Sequence, residues 1–310
     1  MKILSIAVPC YNSQEYMRKC VDSLLKGGED VEILIVDDGS KDDTLKIARD
    51  YEEKYPTIVK AIHQENKGHG GAVNTGLAHA TGLYFKVVDS DDWLTPDATE
   101  SLAEAARADD CDLVVADFYR VNGKRYVEKK HIKKKDVMSR EEFAMEMADD
   151  PADYYYGVMW NKLYRRSIIE EHELRCDASM NWCEDFLFNL QFIRHGQRFR
   201  ALQKPIYYYM KRKGSLVATE SVSVDAVKLK FELLEKYKDL YQSMGLYEEH
   251  KLKINSYILA VAKDGAAGRM YPRSKKLSPD DVIKEADALG YQHVEHTFEP
   301  VFDEHSKGLI

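Results

Sequence analysis

Apolar residues in the first ninety positions come in short unbroken runs separated by polar stretches. Residues 3–8 (Ile-Leu-Ser-Ile-Ala-Val), 31–36 (Val-Glu-Ile-Leu-Ile-Val), 59–63 and 84–88 each have strand length. Near-continuous apolar runs of this kind mark strands buried on both faces. Between them, apolar residues recur at helical spacing: Tyr16, Cys20 and Leu24 behind a Ser13 cap, Leu45, Ala48 and Tyr51 behind Asp42 or Asp43, and a stretch from Ala72 to about Ala80. The order βαβαβαβ predicts an α/β fold, a mostly parallel sheet flanked by helices on both faces. Each loop leaving a strand is polar: Tyr11-Asn12, Asp37-Asp38, the run Asn66-Lys67-Gly68-His69-Gly70-Gly71, and Asp89-Ser90-Asp91. Right-handed crossovers gather these loops at one sheet edge, outside the carboxyl ends of the strands, where open α/β sheets bind ligands.

The stretch 84–96 organises the rest. A short apolar strand (Phe85, Val87, Val88) runs into Asp89, Asp91 and Asp92. On an extended segment residues i and i+2 share a face, so Asp89 and Asp91 are expected to point together beyond the strand end, and two hard carboxylate oxygens there suit Mg²⁺ or Mn²⁺. Thr95 as N-cap and Pro96 at the first helical position predict a helix next, followed by a strand over Leu113–Tyr119. Asn122-Gly123 is a hairpin turn signal inside a basic run (Arg120, Lys124, Arg125, Lys129, Lys130, Lys133, Lys134, Lys135). That run reads either as a solvated hairpin or as a patch touching an acidic acceptor or a membrane surface. The aromatic cluster Tyr154-Tyr155-Tyr156 and Trp160 fits a sugar-stacking wall or core packing equally well. The segment from Trp182 reads as an amphipathic helix led by Glu184-Asp185, and 206–209 as a strand entering the basic loop Lys211-Arg212-Lys213-Gly214-Ser215. Beyond residue 216 three helical stretches follow, about 225–243, 250–268 and 279–289. The predicted division is therefore a main domain over 1–215 and a helical region over 216–310.

Composition narrows the class. The 310 residues are 44% hydrophobic and 32% charged, ordinary for a globular protein, and a net charge of −8 argues against nucleic acid as a partner. No apolar run approaches the roughly 18 residues of a membrane span. The start, MKILSIAVPCYN, reads as a first strand rather than a signal peptide. Five cysteines, odd in number and without a Cys-x-x-Cys pair, predict reduced thiols and no zinc site. The expected setting is cytoplasmic.

Taken together, AVPCYN (7–12), IVDDGSKDDT (35–44), ENKGHGGAVNTGLAHATG (65–82), KVVDSDDWLTPD (86–97), MWNKLYRR (159–166), CEDFLFNLQF (183–192) and PIYYYMKRKGS (205–215) resemble, in order and spacing, the family 2 glycosyltransferases. These are inverting sugar-transfer enzymes of the GT-A fold, and the resemblance covers roughly residues 3–215. It implies a nucleotide-sugar donor, most often a uridine diphosphate (UDP) sugar. Pro9 and Tyr11 would line the nucleoside pocket, and Asp38 would accept from the uracil N3–H, with Asp37 as the alternative. Lys67, Gly70, Asn74 and Ser90 fall in the donor-binding segments. Asp89 would lie near the ribose or the metal, and Asp91 would hold the divalent cation, Mn²⁺ or Mg²⁺, that bridges the diphosphate. Asp185 matches the catalytic base, with Glu184 as its competitor. The acceptor would be a saccharide, polyol or lipid-linked hydroxyl, in the setting of bacterial surface polysaccharide or teichoic-acid assembly, which allows peripheral association with the inner membrane face.

Two departures from the family pattern carry consequences. Many relatives have Arg-Asn where this chain has Val73-Asn74, so a contact made by that Arg is either lost or supplied by Lys67 and His69. Some relatives place a metal-binding His after the Tyr-rich strand, where this chain has Lys211, Arg212 and Lys213. Those cations either meet the diphosphate or are merely exposed. A nucleotidyltransferase also places carboxylates and a nucleotide at a parallel sheet edge, but its glycine-rich loop follows the first strand, where this chain has Pro9-Cys10-Tyr11-Asn12. A catalytically inactive sugar- or nucleotide-binding module is the non-enzymatic alternative.

Overall fold

A computed structural model describes residues 2–130, 132, 134, 136–149, 154–180, 183–212 and 224–255. Residues 256–268 of the helix expected over about 250–268, the expected helix over 279–289, the loop residues Lys213-Gly214-Ser215, and Trp182, Lys133 and Lys135 lie outside the described residues. The chain divides into two compact units. One comprises Met1–Phe143 with Gly157–Arg212, and the other Ala144–Tyr156 with Lys213–Ile310.

In the first unit, β1 (Leu4–Cys10), α1 (Met17–Leu24), β2 (Val31–Asp38), α2 (Thr44–Lys54), β3 (Val59–Gln64), α3 (Gly68–His79) and β4 (Tyr84–Val87) follow the predicted alternation. The continuous apolar runs have the expected outcome: every residue of β1 is buried, as are Ile33, Ile35 and Val36 of β2. β1, β2, β3 and β4 are mutually parallel, in the order β3-β2-β1-β4. The register pairs Cys10 with Asp37 and Asp38 with Gln64, so the strands end together and deliver their polar loops to one edge.

Beyond β4 the sheet becomes mixed. After β5 (Trp93–Leu94) and α4 (Ala98–Ala108) come β6 (Leu113–Asn122) and β7 (Arg125–Lys129), the predicted hairpin, with Asn122 opposite Arg125. Its Arg120, Lys124, Arg125, Lys129 and Lys130 are solvated. Helices α5 (Arg140–Asp149) and α6 (Tyr154–Gly157) precede β8 (Lys162–Arg165). β8 runs antiparallel between β4 and β6, an insertion that the hydrophobic pattern did not announce. Helices α7 (Arg166–Glu171) and α8 (Glu184–His195) and strand β9 (Phe199–Met210) complete the unit, with β9 parallel to β6 and antiparallel to β5.

Three local expectations are corrected. Helix α4 begins at Ala98 rather than at Pro96: Thr95 forms a turn whose carbonyl accepts from Ala98 N, and its hydroxyl donates to Asp97. Ser13 does not cap α1 with its side chain. Its carbonyl takes the N–H groups of Tyr16 and Met17, and α1 starts at Met17. The glycine-rich run is no loop but the first turn of α3, which starts at Gly68.

Of the aromatic cluster, Tyr155, Tyr156 and Trp160 belong to the core. Trp160 is buried and stacks on Tyr207 and Tyr209, with ring centroids 4.4 and 5.3 Å away. In the second unit, Tyr155 and Tyr156 are buried, helix Val224–Ser243 buries Leu233, Leu234, Tyr237, Leu240 and Tyr241, and Tyr241 Oη donates to Ala144 O at 2.6 Å. Helix Tyr247–Asn255 follows it. Among the described residues no helix is long and apolar enough to cross a membrane, and none of the five cysteines forms a disulfide there.

Candidate active site

The loops at the sheet edge are tied to one another by side chains. The first loop latches onto the second: Asn12 N donates to Ser40 Oγ, Lys41 N to Asn12 Oδ1, and Ser13 N to Thr44 Oγ1. The Ser13 and Ser90 hydroxyls lie 2.8 Å apart and join the first loop to residues 89–92. Pro9 is buried within β1, whereas Tyr11 is 48% exposed at its end, an open ring at the sheet edge. Asp37 and Asp38 are buried. Asp37 faces His63 Nδ1 at 2.7 Å, and Asp38 Oδ1 accepts from Gln64 Nε2 at 2.6 Å and from Lys67 N at 2.8 Å. Asp38 thus fixes the start of α3, while the Lys67 side chain remains in solvent. Asn74 points elsewhere: its amide donates to Cys176 O and accepts from Cys176 N, both at 2.8 Å, clamping the segment ahead of α8. With both ends engaged, Asn74 acts on the backbone, and the adjacent Val73 is fully buried.

Asp89, Asp91 and Asp92 do not lie on an extended strand. β4 stops at Val87, and Asp92 N donates to Asp89 O, making a turn. Each carboxylate therefore meets different surroundings. Asp92 is buried, accepting from Tyr207 Oη at 2.8 Å and Met210 N at 2.7 Å, and it locks the turn to β9. Asp89 is partly open and lies 3.3 Å from His69 Nε2. Asp91, 18% exposed, receives Arg212 Nε at 2.8 Å and Nη2 at 2.6 Å. Burial and the neighbouring Asp89 charge raise the Asp91 pKa, and Arg212 opposes them.

His69 is the residue whose role the sequence left most open, and it occupies the centre of the site. Nδ1 is 2.9 Å from Glu184 Oε1 and Nε2 is 3.3 Å from Asp89 Oδ1, so the ring bridges the 89–92 turn and helix α8. Burial opposes its charge, but the bonds to Asp89 and Glu184 outweigh that and raise its pKa well above the ordinary value. With carboxylates at both nitrogens, the imidazole serves as a double donor. Gly70 makes the approach possible: a Cβ there would sit 3.1 Å from Cys176 Cβ and 3.3 Å from Glu184 Cγ. No periodicity signals this, because the bridge joins residues 115 apart in the chain.

Glu184 and Asp185 open α8 behind Cys183, whose φ of 68° is a left-handed conformation. Glu184 turns to His69. Asp185 Oδ2 accepts from Met159 N at 2.9 Å, while Oδ1 has no hydrogen-bond partner among the described residues and lies 4.0 Å from His69 Nδ1. Burial above all, then the Glu184 charge, push the Asp185 pKa up to about 7, against the opposing pull of His69. A carboxylate with one oxygen anchored, one unpartnered and a pKa near neutrality is suited to general-base work.

The donor set also suits a hard divalent cation. Asp89, Asp91, Asp92, Glu184 and Asp185 gather around two cationic side chains, His69 and Arg212. Carboxylate oxygens of Asp89 and Asp91 are the ligands that Mg²⁺ and Mn²⁺ favour. His69, Glu184 and Asp185 also present donor atoms within 4.8 Å of one another.

Residues 5–173 match the family described as Glycosyl transferase family 2, and the chain belongs to it. It is 33% identical over 217 residues to the uncharacterized glycosyltransferase EpsJ of Bacillus subtilis, spanning 69% of this chain and 62% of EpsJ. It is 28% identical over 227 residues to TarS of Staphylococcus aureus, by name a poly(ribitol-phosphate) β-N-acetylglucosaminyltransferase, spanning 72% of this chain and 38% of TarS. The chain thus spans about three fifths or less of the length of these two relatives. Its fold is that of the TarS structure determined with UDP-GlcNAc, with TM-score 0.69, 23% identity and coverage of 96% of this chain and 84% of that one. The mannosyltransferase PcManGT from Pyrobaculum calidifontis, determined with GDP-Man and Mn²⁺, is more distant, with TM-score 0.53, 16% identity and coverage of 94% and 82%. The α/β fold with its mostly parallel sheet is therefore GT-A, and the nucleotidyltransferase alternative falls.

Proposed function

We propose that the chain transfers a sugar from a nucleotide diphosphate sugar, with UDP as the nucleotide, to an acceptor hydroxyl, with inversion at the anomeric carbon. The observation that carries this reading is Asp185, anchored through one oxygen by Met159 N and left with the other unpartnered at a pKa of about 7. The acceptor oxygen bonds to the anomeric carbon as its proton passes to Asp185 Oδ1. The bond from that carbon to the diphosphate oxygen breaks, and its electron pair leaves with the nucleoside diphosphate. Attack from the face opposite the leaving group, without a covalent intermediate, inverts the centre. Proton acceptance of this kind contributes typically about 10²–10⁴-fold.

Tyr11 offers its exposed ring to the base, while Asp38 and Asp37 shape the pocket floor through their bonds to residues 63–67. Glu184, engaged by His69, leaves the base role to Asp185. Asp89 and Asp91 would hold Mn²⁺ or Mg²⁺, which supplies positive charge to the departing diphosphate. The likeness to TarS supports UDP-GlcNAc or a similar UDP-sugar as donor and a bacterial surface glycopolymer as acceptor, with the chain working at the cytoplasmic membrane face.

Calorimetric titration with UDP, GDP and CDP, with and without Mn²⁺, tests the reading. Mn²⁺-dependent UDP binding, weakened at least tenfold in Asp91→Asn, is expected. Absence of nucleotide binding under every condition would overturn it.

A further inference from the structure

Asp91 carries a cation of the chain's own. Arg212 directs both Nε and Nη2 at the same oxygen, Oδ2, at 2.8 and 2.6 Å. Its guanidinium also lies 4.0 Å from the centroid of the Tyr16 ring. Tyr16 is itself seated, its hydroxyl donating to Asn12 O at 3.2 Å. The backbone leading to Arg212 is fixed as well, with Lys211 N donating to Val121 O at 2.9 Å and Met210 N to Asp92 Oδ1 at 2.7 Å. The arginine is therefore held on three sides, by an ion pair, a stacked ring and an anchored strand end. A planar guanidinium suits such a pocket better than an ammonium would, because it stacks and pairs at once.

A divalent cation at Asp91 meets a carboxylate whose Oδ2 Arg212 already holds through two hydrogen bonds. Two positive groups on one carboxylate repel each other, so the binding of one weakens the hold of the other. We infer that Arg212 is a resident counter-ion of Asp91, and that a divalent cation binds the 89–92 turn by displacing it. This deepens the proposed function, on which it rests for the identity of the metal-carrying ligand. The consequence is cooperative loading. Metal alone must break the Arg212–Asp91 pair, and its apparent affinity falls by the fraction of chains in which Asp91 is open. A nucleoside diphosphate arriving with the metal offers phosphate oxygens to the released guanidinium, so the exchange leaves neither charge unpaired.

The test is a Mn²⁺ titration of the full chain without nucleotide, followed by the electron paramagnetic resonance signal of free Mn²⁺. Arg212→Gln is expected to bind Mn²⁺ roughly tenfold more tightly than the wild type, since a charge-assisted double hydrogen bond no longer competes. Tyr16→Leu, which removes only the stacking support, is expected to tighten binding about threefold. The double variant Arg212→Gln/Asp91→Asn is expected to lose the gain. Added UDP should raise Mn²⁺ affinity more in the wild type than in Arg212→Gln. The inference is overturned if Arg212→Gln binds Mn²⁺ no more tightly than the wild type, including the case where neither binds, or if the double variant keeps the gain. Failure of UDP to bind any variant would remove the glycosyltransferase reading, while the nucleotide-free titration would still decide the exchange at Asp91.

Discussion

Replacing Asp185 with Asn separates what the residue does for turnover from what it costs the fold. The shape is conserved: the Asn carbonyl can accept from Met159 N, and the amide takes the place of the unpartnered Oδ1. Loss of the base should lower kcat by about 10²–10⁴-fold, or roughly 3–5 kcal/mol of barrier, with UDP affinity unchanged. Stability should move the other way. An acid whose pKa rises from 3.8 unfolded to about 7 folded favours the native state fully below 3.8, and that contribution is lost as pH rises through about 7. At pH 8 the ionised Asp185 therefore costs on the order of 2–4 kcal/mol, largely from burial and the Glu184 charge. Asp185→Asn should melt several degrees higher than the wild type at pH 8, with the difference shrinking towards pH 4. Calorimetric melting at the two pH values, beside turnover measured with a UDP-sugar and an acceptor, checks both halves. A variant that loses turnover yet is no more stable at pH 8 would refute the idea that strain on this carboxylate serves catalysis. One that keeps turnover would remove it as the base, whereas a wild type that binds UDP without any turnover would favour a binding module.

Two further outcomes follow from the same geometry. His69→Leu leaves Asp89 and Glu184 without their shared donor, so kcat should fall at least tenfold while the KM for the donor changes less, as steady-state kinetics would show. Asp92→Ala removes the acceptor of both Tyr207 Oη and Met210 N, and should cost about 1–3 kcal/mol in denaturant unfolding, with the loss confined to stability if Asp92 only locks the turn.

The sequence disclosed most of the sheet because strands buried on both faces must be continuously apolar, and β1, β2 and β4 obey that rule. It did not disclose β8, whose four residues include Lys162 and Arg165 and carry no strand-like alternation. Their pairing is set by neighbours at residues 84–85 and 113–115. Asp89 stood out as a candidate from its position at a strand end, whereas Asp185 was singled out only through the family resemblance, because acids at a helix start ordinarily serve the dipole. The division of labour between Glu184 and Asp185 was not readable, because it depends on which of the two His69 reaches. Arg212 was legible only as one of three adjacent cations. Its selection is a matter of where β9 ends and of a tyrosine almost two hundred positions earlier.

The late arrival of β8 bears on how the chain is made. As the polypeptide emerges in order, β1 to β4 can assemble from contacts within the first ninety residues, leaving β4 as an open edge until residues 162–165 exist. Open edges invite pairing with other chains, and a lysine in such a strand discourages it. Lys86 sits in β4. Before residues 162–165 exist, its charge would be hydrated at that edge. Once β8 docks it is fully enclosed, Nζ donating to Trp160 O at 2.5 Å, and burial pulls its pKa down to about 7. The same side chain would thus discourage misassociation of the half-built sheet, and in the folded chain it fastens the segment leading into the strand that closes it.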